Sequence, residues 1–317
     1  MGYQLFLIMK KKVLAIYYSQ TGQSKKILDS ILGPLTNNET MELTVEQLRP
    51  LPKFPFPWPA KDFMQVFPES VQGIPCKLAT FTLDIHADYD LIFLIWQPWY
   101  LSPSIPIHSF LRSEAARTIL SGKPVITITG CRNMWIMGHE DILTYLKQIG
   151  ADLVGKIALV DRSPHLLSII SILRWLILGK KGPFLKGIAS AGVSDQDIRS
   201  ARRFGDIICA SIRLGTYHQM QKKLVELGAV RIYPSILNME KTGKRIFKKW
   251  AVFVLKKGSY GSSNRALRLT CFKYYLLLVI FLVSPVVSML TPLYCFLRKD
   301  KVKDEIERYT LISNYAG

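Results

Sequence analysis

Residues 19–24, Ser-Gln-Thr-Gly-Gln-Ser, place three hydroxyls and a run of backbone N–H groups within six positions. An apolar stretch, residues 13–18, precedes them, and from Ser24 onward the apolar residues recur at helical spacing. Hydroxyls and N–H groups gathered at a helix N-terminus hold a phosphate dianion well, because the unpaired amides and the helix dipole both favour negative charge. Gly22 supplies the backbone freedom for a close turn around such a group. The spacing fits neither GxxxxGK[ST] nor GxGxxG, which disfavours nucleoside triphosphates and a Rossmann-type dinucleotide.

Two further clusters have residue types suited to chemistry. With the 19–24 loop counted as the first cluster, Pro98, Trp99 and Tyr100 form the second, and Thr129, Gly130, Cys131, Asn133 and Trp135 form the third. His139 follows the third cluster, and His108 lies between the second and the third. A histidine titrates near neutral pH and a tyrosine hydroxyl can relay a proton, so His139 and Tyr100 are the candidate catalytic bases, with His108 behind them.

These clusters need elements to position them. Short apolar runs at residues 13–18, 40–48, 90–100, 123–135 and 151–160 read as five strands. Helical spacing is expected at residues 24–32, 109–121 and 140–149, and again from residue 194, where Ser194 is placed to cap a helix. The alternation predicts an α/β fold with a doubly wound, five-stranded parallel sheet spanning residues 10–213. In such sheets ligands sit beyond the strand carboxyl ends. All three clusters leave strand carboxyl ends.

Two inserts interrupt the pattern, at about 50–88 and 165–190. The first opens with six prolines between residues 49 and 69, too rigid for a flexible linker and suited to wrapping a surface or a ligand. The second begins with the apolar helix expected at 165–178, suited to a lid or a membrane-contacting patch.

Of the 317 residues, 42 are Lys or Arg and 23 are Asp or Glu, a net charge of +19. Residues 214–317 form a basic extension around residues 274–297, which carry no charge at all. A run of that length spans about 36 Å as a helix, enough for a hydrocarbon core. Pro285 and Pro292 bend it, and basic residues on both sides give no orientation, so a bent, re-entrant or monotopic anchor fits as well as a spanning helix. Basic charge beside an apolar run points to an anionic lipid surface and away from nucleic acid. The five cysteines show neither paired nor metal-ligand spacing, which suits a reducing compartment; no metal is expected. The expected location is the cytoplasmic face of the inner (plasma) membrane. Met9 is an alternative start.

The loop at 19–24 resembles the flavodoxin family, whose first strand is followed by a Ser/Thr-x-Thr-Gly-x-Ser/Thr loop that binds the phosphate of FMN. The resemblance places Ser19, Gln20, Thr21, Gly22, Gln23 and Ser24 on that phosphate. It places Pro98, Trp99, Tyr100, Thr129, Gly130, Cys131, Asn133 and Trp135 about the flavin ring. Across the whole chain, "IYYSQTGQ", "FPFPWP", "QPWYLSPSIPIHSFL", "TGCRNMW" and the basic apolar tail resemble the flavodoxin-like dialkylresorcinol-condensing enzymes of aryl-polyene-type gene clusters. That resemblance implies an FMN-dependent aromatase oxidising a long-chain dialkyl-cyclohexanedione to a dialkylresorcinol. It further implies a ketosynthase partner acting beforehand, membrane lipid as neighbour, and a homodimer. Two other readings share the loops: a membrane-bound NAD(P)H-dependent quinone or flavin reductase, and a non-enzymatic electron carrier or assembly factor.

Overall fold

The computed structural model describes residues 10–36, 38–163, 165–183 and 190–312. Five parallel strands form the central sheet: β1 Lys11–Tyr17, β2 Met41–Gln47, β3 Leu91–Trp96, β4 Pro124–Cys131 and β5 Asp152–Val160. Their order is β2-β1-β3-β4-β5, so the chain winds one way from β1 to β2 and then reverses. This is the flavodoxin-type doubly wound order, with its switch point between β1 and β3. β1, β3 and most of β4 are buried on both faces, which is why they read as near-continuous apolar runs.

Helix α1, Gln23–Thr36, follows the 19–24 loop. The first insert contributes α2, Ala60–Gln65, and α3, Phe67–Gln72. The helix expected at 109–121 is instead two, α4 Ile105–Leu111 and α5 Glu114–Leu120. The break falls at Arg112 and Ser113, where the Ser113 hydroxyl accepts from Ala116 N–H at 3.1 Å and caps α5. α6, Ile136–Ile149, starts four residues earlier than its periodicity suggested.

The second insert provides α7, His165–Leu178; its residues 184–189 lie outside the described residues. Ser194 caps α8, Asp195–Ser200, by accepting from Asp197 N–H at 3.0 Å. α9, Arg202–Leu214, follows almost without interruption.

Beyond it come α10 Met220–Glu226, α11 Pro234–Leu255, α12 Ala266–Leu278, α13 Ser284–Leu297 and α14 Lys299–Thr310, with one wide helical turn between α12 and α13. The core lies on both sides of the sheet. Ile27, Ile31, Phe204, Ile208 and Leu224 fill the side under α1, α9 and α10. Ile107, Phe110, Ile142, Leu146, Leu237 and Tyr309 fill the side under α4 to α6 and α11. The extension therefore packs onto the same body as the sheet.

Candidate functional site

The turn from β1 into α1 forms the expected cradle. Gly22 has φ +80°, and among the described residues no heavy atom lies within 4 Å of where a Cβ would stand. The Ser19 hydroxyl is buried and has no hydrogen-bond partner among the described residues. Gln20 N–H and Ser24 Oγ point at one acceptor, Gln97 Oε1, at 3.4 and 3.5 Å. These are long, weak bonds, so one side-chain amide gathers donors that a phosphate would satisfy better. The donor set fits a phosphate.

Two side chains assigned to that group serve the scaffold instead. Gln23 donates to Val193 O at 3.2 Å and accepts from Val193 N–H at 3.3 Å, which locks α1 to the segment before α8. Gln20 bonds the Tyr18 hydroxyl and donates to Pro55 O at 2.6 Å, tying the loop to the first insert.

The insert roofs the cradle. Trp99 meets Tyr18, Phe54 and Trp58 edge-on, with ring centroids 5.9, 5.3 and 5.4 Å apart. Trp58 N–H donates to Leu176 O of α7 at 2.7 Å, and Phe56 meets Trp175 edge-on at 6.4 Å. The two inserts thus join above the loop. Beside the loop, on the β2 side, opens a cavity of about 370 Å³ lined by Tyr17, Lys25, Glu46 and Arg49.

The second cluster sits on a tight antiparallel ribbon in which Pro98 and Trp99 pair with Pro103 and Ser102. Its two turn residues, Tyr100 and Leu101, have φ +50° and +62°. Side chains larger than Asn rarely adopt that region, so the turn is strained by about 1–2 kcal/mol per residue. Lys244 of α11 supports it, donating to Leu101 O at 3.0 Å and Ser102 Oγ at 2.5 Å while paired with Asp141. The Tyr100 hydroxyl donates to Phe63 O at 2.7 Å, and burial pushes its pKa well up. Its ring lies among Phe63, Phe67 and Phe272, with Phe63 between it and Trp58, a partner of Trp99.

In the third cluster the Thr129 hydroxyl is buried without a partner among the described residues. Gly130 packs against α1: a Cβ there would come within 2.3 Å of Ile27 Cδ1, so its glycine serves helix packing. Cys131 is buried, and burial pushes its thiol up. Asn133 is buried near it, and Trp135 is buried against His139 with ring centroids 5.6 Å apart. The three rings expected to gather on one planar ligand, Trp99, Tyr100 and Trp135, therefore occupy three separate places.

Neither histidine considered as a base stands in an open site. His139 lies between α6 and the sheet, its Nε2 2.9 Å from Thr127 Oγ1 and its ring stacked on Trp96. Burial and the nearby Lys156 ammonium hold its pKa well below the usual histidine range. His108 is equally internal, 3.1 Å from the Tyr145 hydroxyl, and burial lowers its pKa to about 3. A histidine four positions into a helix faces the core when that face is apolar, and helical spacing predicts this only once the helix start is known.

One titratable group near the third cluster was not visible in the sequence. Glu240 of α11 is fully buried and accepts from Met137 N–H at 2.8 Å, at the start of α6. Burial raises its carboxyl to about 8, outweighing the Met137 bond and the Lys244 and Arg132 charges. It lies a hundred residues from the cluster in sequence, on a helix that reads as basic and amphipathic, and no local signal marks it.

No protein-family profile matches the chain, and no curated protein matches it. Solved structures do. A flavoprotein in complex with FMN from Lactobacillus acidophilus NCFM is 17% identical, covering 47% of this chain and 93% of its own, with TM-score 0.35. A flavodoxin from the domain Archaea is 12% identical, covering 64% and 99%, with TM-score 0.35. Oxidised flavodoxin 1 from Bacillus cereus is 17% identical, covering 62% and 95%, with TM-score 0.33.

Proposed function

We propose that this chain is an FMN-dependent oxidoreductase acting on a lipid-like ring compound at the cytoplasmic face of a membrane. The observation that carries this reading is the Ser19 hydroxyl, buried without a partner in a glycine-turned loop at the start of α1. Burying an unpaired hydroxyl costs free energy, and a phosphate oxygen is the acceptor that this donor set suits.

Ser19, Thr21, Ser24 and the backbone of residues 20–24 bind the phosphate, with the α1 dipole favouring its charge. Phe54, Trp58 and Trp99 exclude water above the loop. FMN, when bound, supplies an acceptor for a hydride taken from carbon.

The substrate class proposed is a dialkyl-cyclohexanedione delivered by a ketosynthase partner, and the product is a dialkylresorcinol. Aromatisation removes one hydride and one proton from adjacent ring carbons; bound FMN would supply the hydride acceptor, and solvent would take the proton. The gain of aromaticity drives the step, so the protein chiefly orients the ring. Long alkyl chains partition into lipid, which accounts for an apolar, basic extension on a redox fold.

The test is an anaerobic titration of the detergent-purified protein, following the flavin absorbance band. Bleaching by a dialkyl-cyclohexanedione with stoichiometric resorcinol is the expected result. Bleaching by NADPH alone would replace the aromatase with a reductase. A purified protein that neither carries nor binds FMN would overturn the reading altogether.

A further inference from the structure

The helix Ser263–Pro292 is long and apolar enough to cross a bilayer, with mean hydropathy 2.1 over its most apolar window. Its surroundings argue for a different placement. At its start, the buried Arg265 guanidinium pairs with Glu69 and bonds Gln65, both in the first insert. Two turns further, Phe272 stacks on Phe67 with ring centroids 3.6 Å apart. The beginning of the run is therefore fixed to the globular body.

Its end is fixed to the same body. Glu305 of α14 pairs with Lys241 of α11 at 2.9 Å, and the Tyr309 ring is buried in the core beside α6. Lys156 of β5 donates to Leu311 O at 3.0 Å, and Gln221 donates to Thr310 O at 3.1 Å. A crossing would set the two ends about 30 Å apart across hydrocarbon. The twelve residues of α14 make only about 18 Å of helix and already lie on the body.

Between its ends the run has reversed polarity. Ser284 and Thr291, seven residues apart and so on one helix face, are 4% and 7% exposed. Met289 and Phe296 are 81% and 79% exposed, and Phe281, Leu282, Val286 and Leu290 join them outside. α13 packs along α11, whose Val252 and Phe253 extend the apolar face. Small polar groups inward and large apolar ones outward suit a nonpolar solvent on the outer side. Exposed lysines flank the uncharged run in sequence: Lys248, Lys249, Lys256, Lys257 and Lys273 before it, and Lys299, Lys301 and Lys303 after it, with Arg298.

We infer that residues 266–297 lie in the plane of an anionic lipid surface without crossing it, both ends remaining on the side of the globular body. The outer apolar face enters the acyl boundary and the flanking lysines engage anionic headgroups. The inference rests on the membrane location proposed above and is independent of the flavin and of the reaction.

The full-length protein is transferred from detergent to preformed phosphatidylcholine vesicles, with or without phosphatidylglycerol, and floated on a density gradient. Flotation is expected, at least about tenfold stronger on the anionic vesicles. Leu282→Glu with Met289→Glu should abolish it while the far-UV spectrum stays unchanged; if that folded variant floats as before, the apolar face is not the contact. Failure of the parent protein to float, with a stable dimer in solution, would assign the face to a second copy and overturn the membrane location too.

The second arm reads sidedness. Lys61→Cys and Asp304→Cys are treated on intact vesicles with a membrane-impermeant maleimide, and labelled peptides are identified by mass spectrometry. Both positions should label equally, with no gain on adding detergent. Flotation with Asp304→Cys protected until detergent is added would overturn the in-plane placement alone and leave the membrane location standing.

Discussion

Arg265 and Glu69 form a two-point salt bridge, Nη1 to Oε1 at 2.6 Å and Nη2 to Oε2 at 3.0 Å, with both side chains buried. It joins the start of the apolar helix to the insert that also roofs the phosphate-type loop. The fork geometry satisfies both carboxylate oxygens, while the Nε–H donates to Gln65 Oε1 at 2.7 Å.

Breaking one side of this pair strands a buried charge. Arg265→Met should destabilise the protein by about 3–5 kcal/mol, whereas Arg265→Met with Glu69→Met should recover most of that loss. Denaturant unfolding in detergent checks it, and a double variant as unstable as the single would show that the damage comes from lost packing.

Ser19→Ala separates binding from folding. The hydroxyl has no internal partner, so its removal should leave the unliganded protein as stable or slightly more stable. FMN affinity should fall roughly tenfold to a hundredfold through loss of a charge-assisted bond. Riboflavin, which lacks the phosphate, should bind both proteins alike; fluorescence titration with the two ligands reads the difference.

Glu240 imposes a pH dependence of definite sign. Its folded-state carboxyl is raised to about 8, above its ordinary value near 4.5, so the native state holds a proton that the unfolded state releases. Its contribution is fully present below about pH 4.5 and is lost as pH rises to 8, at up to about 1.4 kcal/mol per pH unit. Glu240→Gln keeps an acceptor for Met137 N–H and should remove that slope, seen by comparing unfolding free energies of the two proteins across this window.

The buried histidines act in the opposite sense. His108 and His139 are held neutral by burial, with folded-state pKa values below the ordinary 6.5. The unfolded chain takes up protons below that pH before the native state does, so stability falls on acidification, by up to about 2.7 kcal/mol per pH unit for the two together. His139→Gln should roughly halve that slope. Redox turnover should keep its pH profile in this variant, since the imidazole is buried and bonded to Thr127 inside the core.

Much of the molecule is decided locally. The apolar runs at β1, β3 and β4, the glycine turn after β1 and the serine caps of α5 and α8 follow from propensity, periodicity and short-range hydrogen bonding. The sequence alone therefore determined the parallel sheet, the phosphate-type loop and the presence of a basic, apolar extension.

Tertiary structure decided what those elements meet. Which way Trp99 and Tyr100 turn depends on partners between roughly 35 and 170 positions away, among them Phe54 and Phe272. The carboxyl buried at the start of α6 comes from α11, and the run long enough to cross a bilayer has both ends bound to one body. Periodicity records which residues avoid water; only the folded chain specifies whether protein or lipid takes the place of that water.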